Sequence, residues 1–136
     1  MLVRTFGSVV VRPEAKLWWD QARRDFQVGQ RNHSARDYDF AVFLFEQATQ
    51  KALKSLIIHR TGNPPPRVHN LVRLGDIVGI EPGFRAFLEN LTPHYVLTRY
   101  PDAARAVTKS LYDGRTSLTF LRGTQKVMKW CRTRLR

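Results

Sequence analysis

An all-α chain, folded as an up-and-down four-helix bundle with one additional short helix, is what three features of these 136 residues predict. Residues 35–59 place Ala41, Phe45, Ala48, Ala52, Ser55, Leu56 and His59 at steps of three and four, the spacing of a single helix face. From about residue 114 the chain is two-faced. Phe120, Leu121, Val127, Met128, Cys131 and Leu135 fall on one side, with Arg115, Arg122, Lys126, Lys129, Arg132 and Arg136 on the other. No stretch alternates apolar and polar residues as a half-buried strand does. Residues 1–12 are read as an N-terminal arm and 13–136 as one helical bundle domain.

The arm is β-branched without helical spacing and reads equally as frayed chain or a short strand. Pro13-Glu14 opens the first helix, whose buried face is Trp18, Ala22 and Phe26, to about residue 31. Asn32-His33-Ser34 is a turn into an antiparallel partner, with Ser34 and Asp37 spaced as a capping box. The central helix stops at Gly62 and Pro64-Pro65-Pro66. His69-Asn70 leads into a short helix closed by Gly79. Pro82 starts another, with Phe84, Phe87, Leu88, Leu91 and Tyr95 in register and Pro93 placed to kink or divide it. Tyr100-Pro101 ends that run, 102–113 is weakly periodic, and Asp113 is positioned to cap the last helix.

The net charge of +12 and a pI near 10.9 point to a polyanionic partner, the alternative being a solvated basic surface. The single Cys131 excludes an internal disulfide and a cysteine-based zinc site, and fits a reducing compartment. With no apolar run of spanning length, a soluble, cytoplasmic protein without membrane contact is expected. Phosphate-cradling loops, dinucleotide fingerprints, His-Glu-x-x-His and Gly-x-Ser-x-Gly are all missing. The histidines at 33, 59, 69 and 94 are scattered and the acids dispersed, so neither a metal site nor a cofactor is expected.

Five short pieces, in order, carry a resemblance. They are Trp18-Trp19-x-x-Ala22-x-x-Asp25, Gln47-Ala48-x-x-Lys51-Ala52-Leu53-Lys54, His69-Asn70-Leu71-x-x-Leu74, Thr98-Arg99-Tyr100-Pro101-Asp102 and Met128-x-Trp130. Over about residues 13–135 the chain resembles the HEPN domain (higher eukaryotes and prokaryotes nucleotide-binding). The resemblance implies a helical bundle that forms homodimers. It also implies action beside a minimal nucleotidyltransferase, often as a toxin–antitoxin pair, with some members being metal-independent endoribonucleases. Nuclease members carry Arg followed by His after four to six residues. That spacing is absent here, which disfavours the nuclease reading. The central helix also has Gln50 where a Glu is usual in the family, and Glu46 where a Gln is usual.

The candidate nucleotide- or RNA-binding residues are Arg99, Tyr100 and Asp102 at a helix end, and Lys51 and Lys54 on the polar strip of the central helix. Each has a plainer alternative: an Arg99–Asp102 bridge, or a solvated strip whose lysine stems cover the core. Asp25 is placed to pair with Lys51 or Lys54, and Trp18 and Trp130 read as core. Arg115, Arg122, Lys126 and Lys129 form a basic face with no acid after Asp113. If the protein were an enzyme, His69 or His94 acting with Arg99 would be the catalytic candidates. Three functions remain open: a dimeric nucleotide- or RNA-binding module, a metal-independent ribonuclease, and a non-catalytic structural dimer subunit.

Overall fold

Helix α1 covers Pro13–Ser34 and runs past its expected end near residue 31 in the computed structural model, which describes residues 4–6 and 9–135. The chain then reverses through a Schellman closure. Asp37 N–H donates to the Asn32 carbonyl (2.8 Å) and Arg36 N–H to that of His33 (3.1 Å), with Arg36 in the left-handed region at φ 65°. This corrects the expected capping box. Ser34 is used up in the last turn of α1, so α2 begins at Tyr38 and Asp37 precedes it without a side-chain cap bond.

Helix α2 (Tyr38–Thr61) is the axis of the bundle and ends at Gly62, φ 70°. Its Phe45, Leu53 and Leu56 are wholly buried. α1 packs along it as the antiparallel partner expected from the short turn. On another side lies α7 (Gly114–Arg134), capped by the Asp113 carboxylate, which accepts from Thr116 N–H at 2.8 Å. Thr49 Oγ1 and Thr124 Oγ1 lie 3.2 Å apart against the Phe45 carbonyl, and His33 Nδ1 meets Ser117 Oγ at 2.8 Å across the α1–α7 seam.

α3 (Leu71–Val78) is the expected short helix, with Asn70 Oδ1 accepting from Arg73 N–H and Gly79 closing it. The fourth bundle member is segmented into a 3₁₀ turn at Pro82–Phe84, α4 (Arg85–Leu91), α5 (His94–Leu97) and α6 (Pro101–Ala104). Pro93, which has no N–H, divides it. Tyr100 is extended, as the residue before a proline tends to be. A 3₁₀ turn at Thr108–Leu111 completes the region left weakly defined by periodicity.

The bundle carries one addition. Strands β1 (Arg4–Phe6) and β2 (Val9–Val11) pair antiparallel, Arg4 opposite Val11, too short for alternation to register. Val11 is buried, and Arg12 Nε donates to the His59 carbonyl at 3.0 Å, tying this segment to the end of α2. Residues 1–3, 7 and 8 of the arm, and Arg136 of the basic side, lie outside the described residues. Among the described residues no helix is long and apolar enough to cross a membrane.

Candidate functional site

Glu46, Gln50 and Lys54 follow one another at intervals of four on α2, each side chain stacked over the next. The solvated-strip alternative does not hold for them: their exposures are 0%, 5% and 5%. Buried polar groups need partners, and these three find them in one run. Gln47 Nε2 donates to Glu46 Oε1 at 2.8 Å and Gln50 Nε2 to Glu46 Oε2 at 3.1 Å. Lys54 Nζ donates to Gln50 Oε1 at 3.0 Å. Burial pushes the Glu46 carboxyl above its usual range, against the pull of the two glutamine bonds and the charges of Arg99 and Lys54. Burial likewise pushes the Lys54 ammonium down; Glu46 opposes this and Lys51 adds to it.

His69 reaches the same run from the loop before α3. Its Nδ1 lies 3.1 Å from Gln50 Oε1, and its ring stacks on Tyr95 with centroids 4.2 Å apart and planes at 13°. An amide oxygen only accepts, so Nδ1 carries the proton and the Nε2 lone pair of the neutral ring is left available on an exposed residue. Desolvation lowers the pKa of His69, and the Lys54 and Arg99 charges lower it further. Arg99 completes the cluster from just beyond α5. Its Nη1 donates to the Tyr95 carbonyl at 2.7 Å, and its guanidinium lies over the rings of Tyr95 (3.9 Å) and Phe43 (4.6 Å).

The structure thus brings Lys54, His69 and Arg99 together, three residues distant in sequence and each a separate candidate above. Tyr95, Glu46 and Gln50 were not among the candidate site residues. Tyr95 matches the apolar periodicity of its helix, and only its position four residues before Arg99 hinted at a shared face. Lys51 leaves the cluster: its Nζ is 2.6 Å from Asp25 Oδ2, whose Oδ1 accepts from Gln21 Nε2 at 2.8 Å. Tyr100 and Asp102 are exposed, and among the described residues neither shares a hydrogen bond, ion pair or ring contact with the cluster. The Arg99–Asp102 bridge is likewise not formed, because Arg99 turns back onto Tyr95.

His94 is a packing residue. Its Nδ1 lies 2.6 Å from Tyr112 Oη and its ring meets Phe120 edge-on at 4.9 Å, with burial lowering its pKa. The same burial, helped by Asp39, pushes the Tyr112 phenol up to about 12. Cys131 is fully buried and pushed up to about 12, which leaves it an inert core thiol. Trp130 is buried as expected, and Trp18 packs on the core with Lys54 Nζ 5.8 Å from its ring. Arg115, Arg122, Lys126 and Lys129 are all exposed along α7.

A guanidinium and a neutral imidazole on one tyrosine ring, with a lysine joined to the imidazole through Gln50, suit a phosphate joined to a flat base. The family model for the HEPN domain matches residues 15–134. Among solved structures, TT1696 from Thermus thermophilus superposes with a TM-score of 0.77 at 26% identity, over 88% of this chain and 97% of that one. ST0689, described as an archaeal HEPN homologue, superposes with a TM-score of 0.75 at 23% identity, over 90% and 98%. The second likeness bears on the fold alone. No curated protein sequence matches significantly.

Proposed function

The chain belongs to the HEPN domain family, and from that premise we propose that it is a nucleotide- or RNA-binding module working as a homodimer in the cytoplasm. The observation that carries this reading is the meeting of His69 and Arg99 on the Tyr95 ring, with Lys54 joined to His69 through their shared bond to Gln50 Oε1. Arg99 and Lys54 take a phosphate, and the His69–Tyr95 stack offers an aromatic edge to a base. Support for the homodimer comes from four exposed apolar side chains: Phe40 (62%), Tyr100, Val107 (73%) and Leu111. They sit on elements joined by the Thr108–Asp39 bond and the Arg99–Phe43 contact, next to the cluster. The companion in this proposal is a minimal nucleotidyltransferase, beside which such family members are commonly encoded, often as a toxin–antitoxin pair.

The test is a titration of labelled mononucleotide and short RNA against wild type, Arg99→Ala and Lys54→Met. The expected result is at least a tenfold loss of affinity in the Arg99 variant, and binding that weakens steeply with salt. Unchanged affinity in both variants rules out this site. Co-expression with a neighbouring nucleotidyltransferase, and sedimentation at micromolar concentration, test the companion and the dimer.

A second reading is favoured by one observation. His69, with Nδ1 anchored and its pKa lowered, stands beside Arg99 although the family's sequence spacing of Arg and His is absent. A neutral Nε2 next to a phosphate-binding guanidinium is the arrangement of a general base for RNA cleavage. Chelator-resistant cleavage that His69→Ala abolishes supports that reading; no cleavage, or cleavage unchanged in His69→Ala, rejects it.

A further inference from the structure

We infer that the outer ridge of α7 is a second nucleic-acid surface, one that holds the phosphates of a single strand while a base enters a phenylalanine-walled hollow beside it. It lies away from the cluster around Arg99. α1 turns Trp18, Gln21 and Asp25 toward the α2 strip but lines a different groove, against α7, with Trp19, Arg23 and Phe26.

The ridge follows from spacing. Arg122, Lys126 and Lys129 are four and three residues apart, so they stand in one exposed row rising about 6 Å and then about 4.5 Å along the helix. Among the described residues none of the three has an ion-pair or hydrogen-bond partner. Nothing in their own segment neutralises them, since no Asp or Glu follows Asp113. Arg115 extends the row toward the start of the helix, beside Asp113.

On one flank, Arg122 and Lys126 form the rim of a hollow of about 680 Å³ whose walls are Phe84, Phe87 and Leu118. That is the size of an ordinary ligand pocket. Gly123 makes the shape possible: a Cβ there would sit 2.0 Å from the Phe87 ring, which packs on the bare helix backbone. Glu81, an acid at this rim, is engaged by Arg134 Nη2 at 3.5 Å. On the other flank, Lys129 and Arg132 face Arg23 across a groove of about 400 Å³ lined by Gln27, Gln30 and Gln125. Guanidinium, ammonium and amide donors suit phosphate and sugar, and carry no base specificity. An acidic protein would be satisfied by the cations alone. The aromatic hollow opening directly off the row is what favours a strand with unstacked bases.

The experiment is fluorescence anisotropy on the full chain with a labelled 12-nucleotide single-stranded RNA. Its comparators are an abasic strand of the same length, the corresponding duplex, and poly-glutamate as competitor. The variants are Arg122→Glu with Lys126→Glu, surface changes whose folding is checked by circular dichroism. The expected result is a loss of at least tenfold in strand affinity in the double variant. Its plot of log affinity against log salt should be shallower by about 1.4 for two lost phosphate contacts on a single strand. The abasic strand should bind at least about fivefold more weakly, as the loss of one stacked base requires. Mononucleotide binding at Arg99 should be untouched by these variants, and strand binding at the ridge should survive Lys54→Met. That separates failure of this inference from failure of the first site. Unchanged strand affinity in the double variant overturns the ridge. Equal binding of the abasic strand or the duplex overturns the role of the hollow, and equal competition by poly-glutamate at matched charge reassigns the surface to an acidic protein.

Discussion

Gln50 sets the tautomer of His69. Its Oε1 is committed as an acceptor because its Nε2 is held by the Glu46 carboxylate, so the imidazole nitrogen 3.1 Å away must be the protonated one. With the ring partly desolvated, Lys54 and Arg99 close by and no carboxylate among the described residues touching it, the ring stays neutral to a lower pH than a free histidine. Replacing Gln50 by Glu, the usual family residue, reverses this. A carboxylate 3 Å or so from Nδ1 favours the imidazolium, and His69 should titrate about one to two units higher. An NMR titration of the imidazole resonances measures it. A pKa that stays put means the Gln50–His69 bond does not form in solution.

Acid should destabilise the fold earlier than ordinary carboxylate titration would. His69 and His94 are both pushed below the ordinary value of 6.5. Between their folded values and 6.5 the unfolded chain binds more protons, so stability rises with pH through that window and falls on acidification. His94, half-buried, contributes a slope of up to about 1.4 kcal/mol per pH unit, and the exposed His69 much less because solvent screens it. Glu46 is raised and works with the opposite sign, losing stability as pH rises through its window, so the slope is shallower where the windows overlap. Urea denaturation at several pH values should show the decline below pH 6.5, and His94→Gln, which keeps a partner for Tyr112 Oη, should flatten it. Equal slopes in wild type and variant would remove His94 from the account.

Arg36 occupies the left-handed position that closes α1, where a side chain costs about 1 kcal/mol relative to glycine. Arg36→Gly should therefore stabilise the protein by roughly 0.5–1 kcal/mol, the larger freedom of glycine in the unfolded chain offsetting part of the gain. Thermal denaturation reads the sign. Destabilisation would mean that the Arg36 side chain makes a contribution beyond its backbone conformation.

The long helices were legible because α1, α2 and α7 each repeat their apolar residues at helical spacing, and Gly62, Gly79, Pro93 and Asp113 act where such residues usually do. The Schellman closure was not, since it uses an arginine where glycine is the expected signal. Nor was the β1–β2 pair, whose strands are too short for a period of two to stand out. At the site, Arg99 and Lys54 could be picked from charge and position, but pattern alone could not show that Lys54 is buried. The polarity of Glu46, Gln50 and Lys54 reads as exposure until the hydrogen bonds linking them are seen. Tyr95 was hidden by its dual use, as one more large residue in an apolar series and as the plate between His69 and Arg99.

The Asp25–Lys51 pair lies deeper than a surface bridge, with 9% of the Asp25 side chain and 24% of the Lys51 side chain exposed. Lys51→Met removes the 2.6 Å partner and leaves a carboxylate supported, among the described residues, by Gln21 alone. Breaking a fully buried pair costs about 3–5 kcal/mol. Solvent at Lys51 screens part of that, so about 1–3 kcal/mol is expected here. Asp25→Asn should cost less, about 1 kcal/mol, because the lysine can extend toward water and the amide keeps an acceptor for Gln21. In the double variant the charge left stranded in Lys51→Met is gone, so the loss should fall short of the two single losses combined by at least about 1 kcal/mol. A urea-denaturation cycle of the four proteins measures this coupling. Strict additivity would mean that the pair contributes no net stability and that α1 and α2 are held by their apolar seam alone.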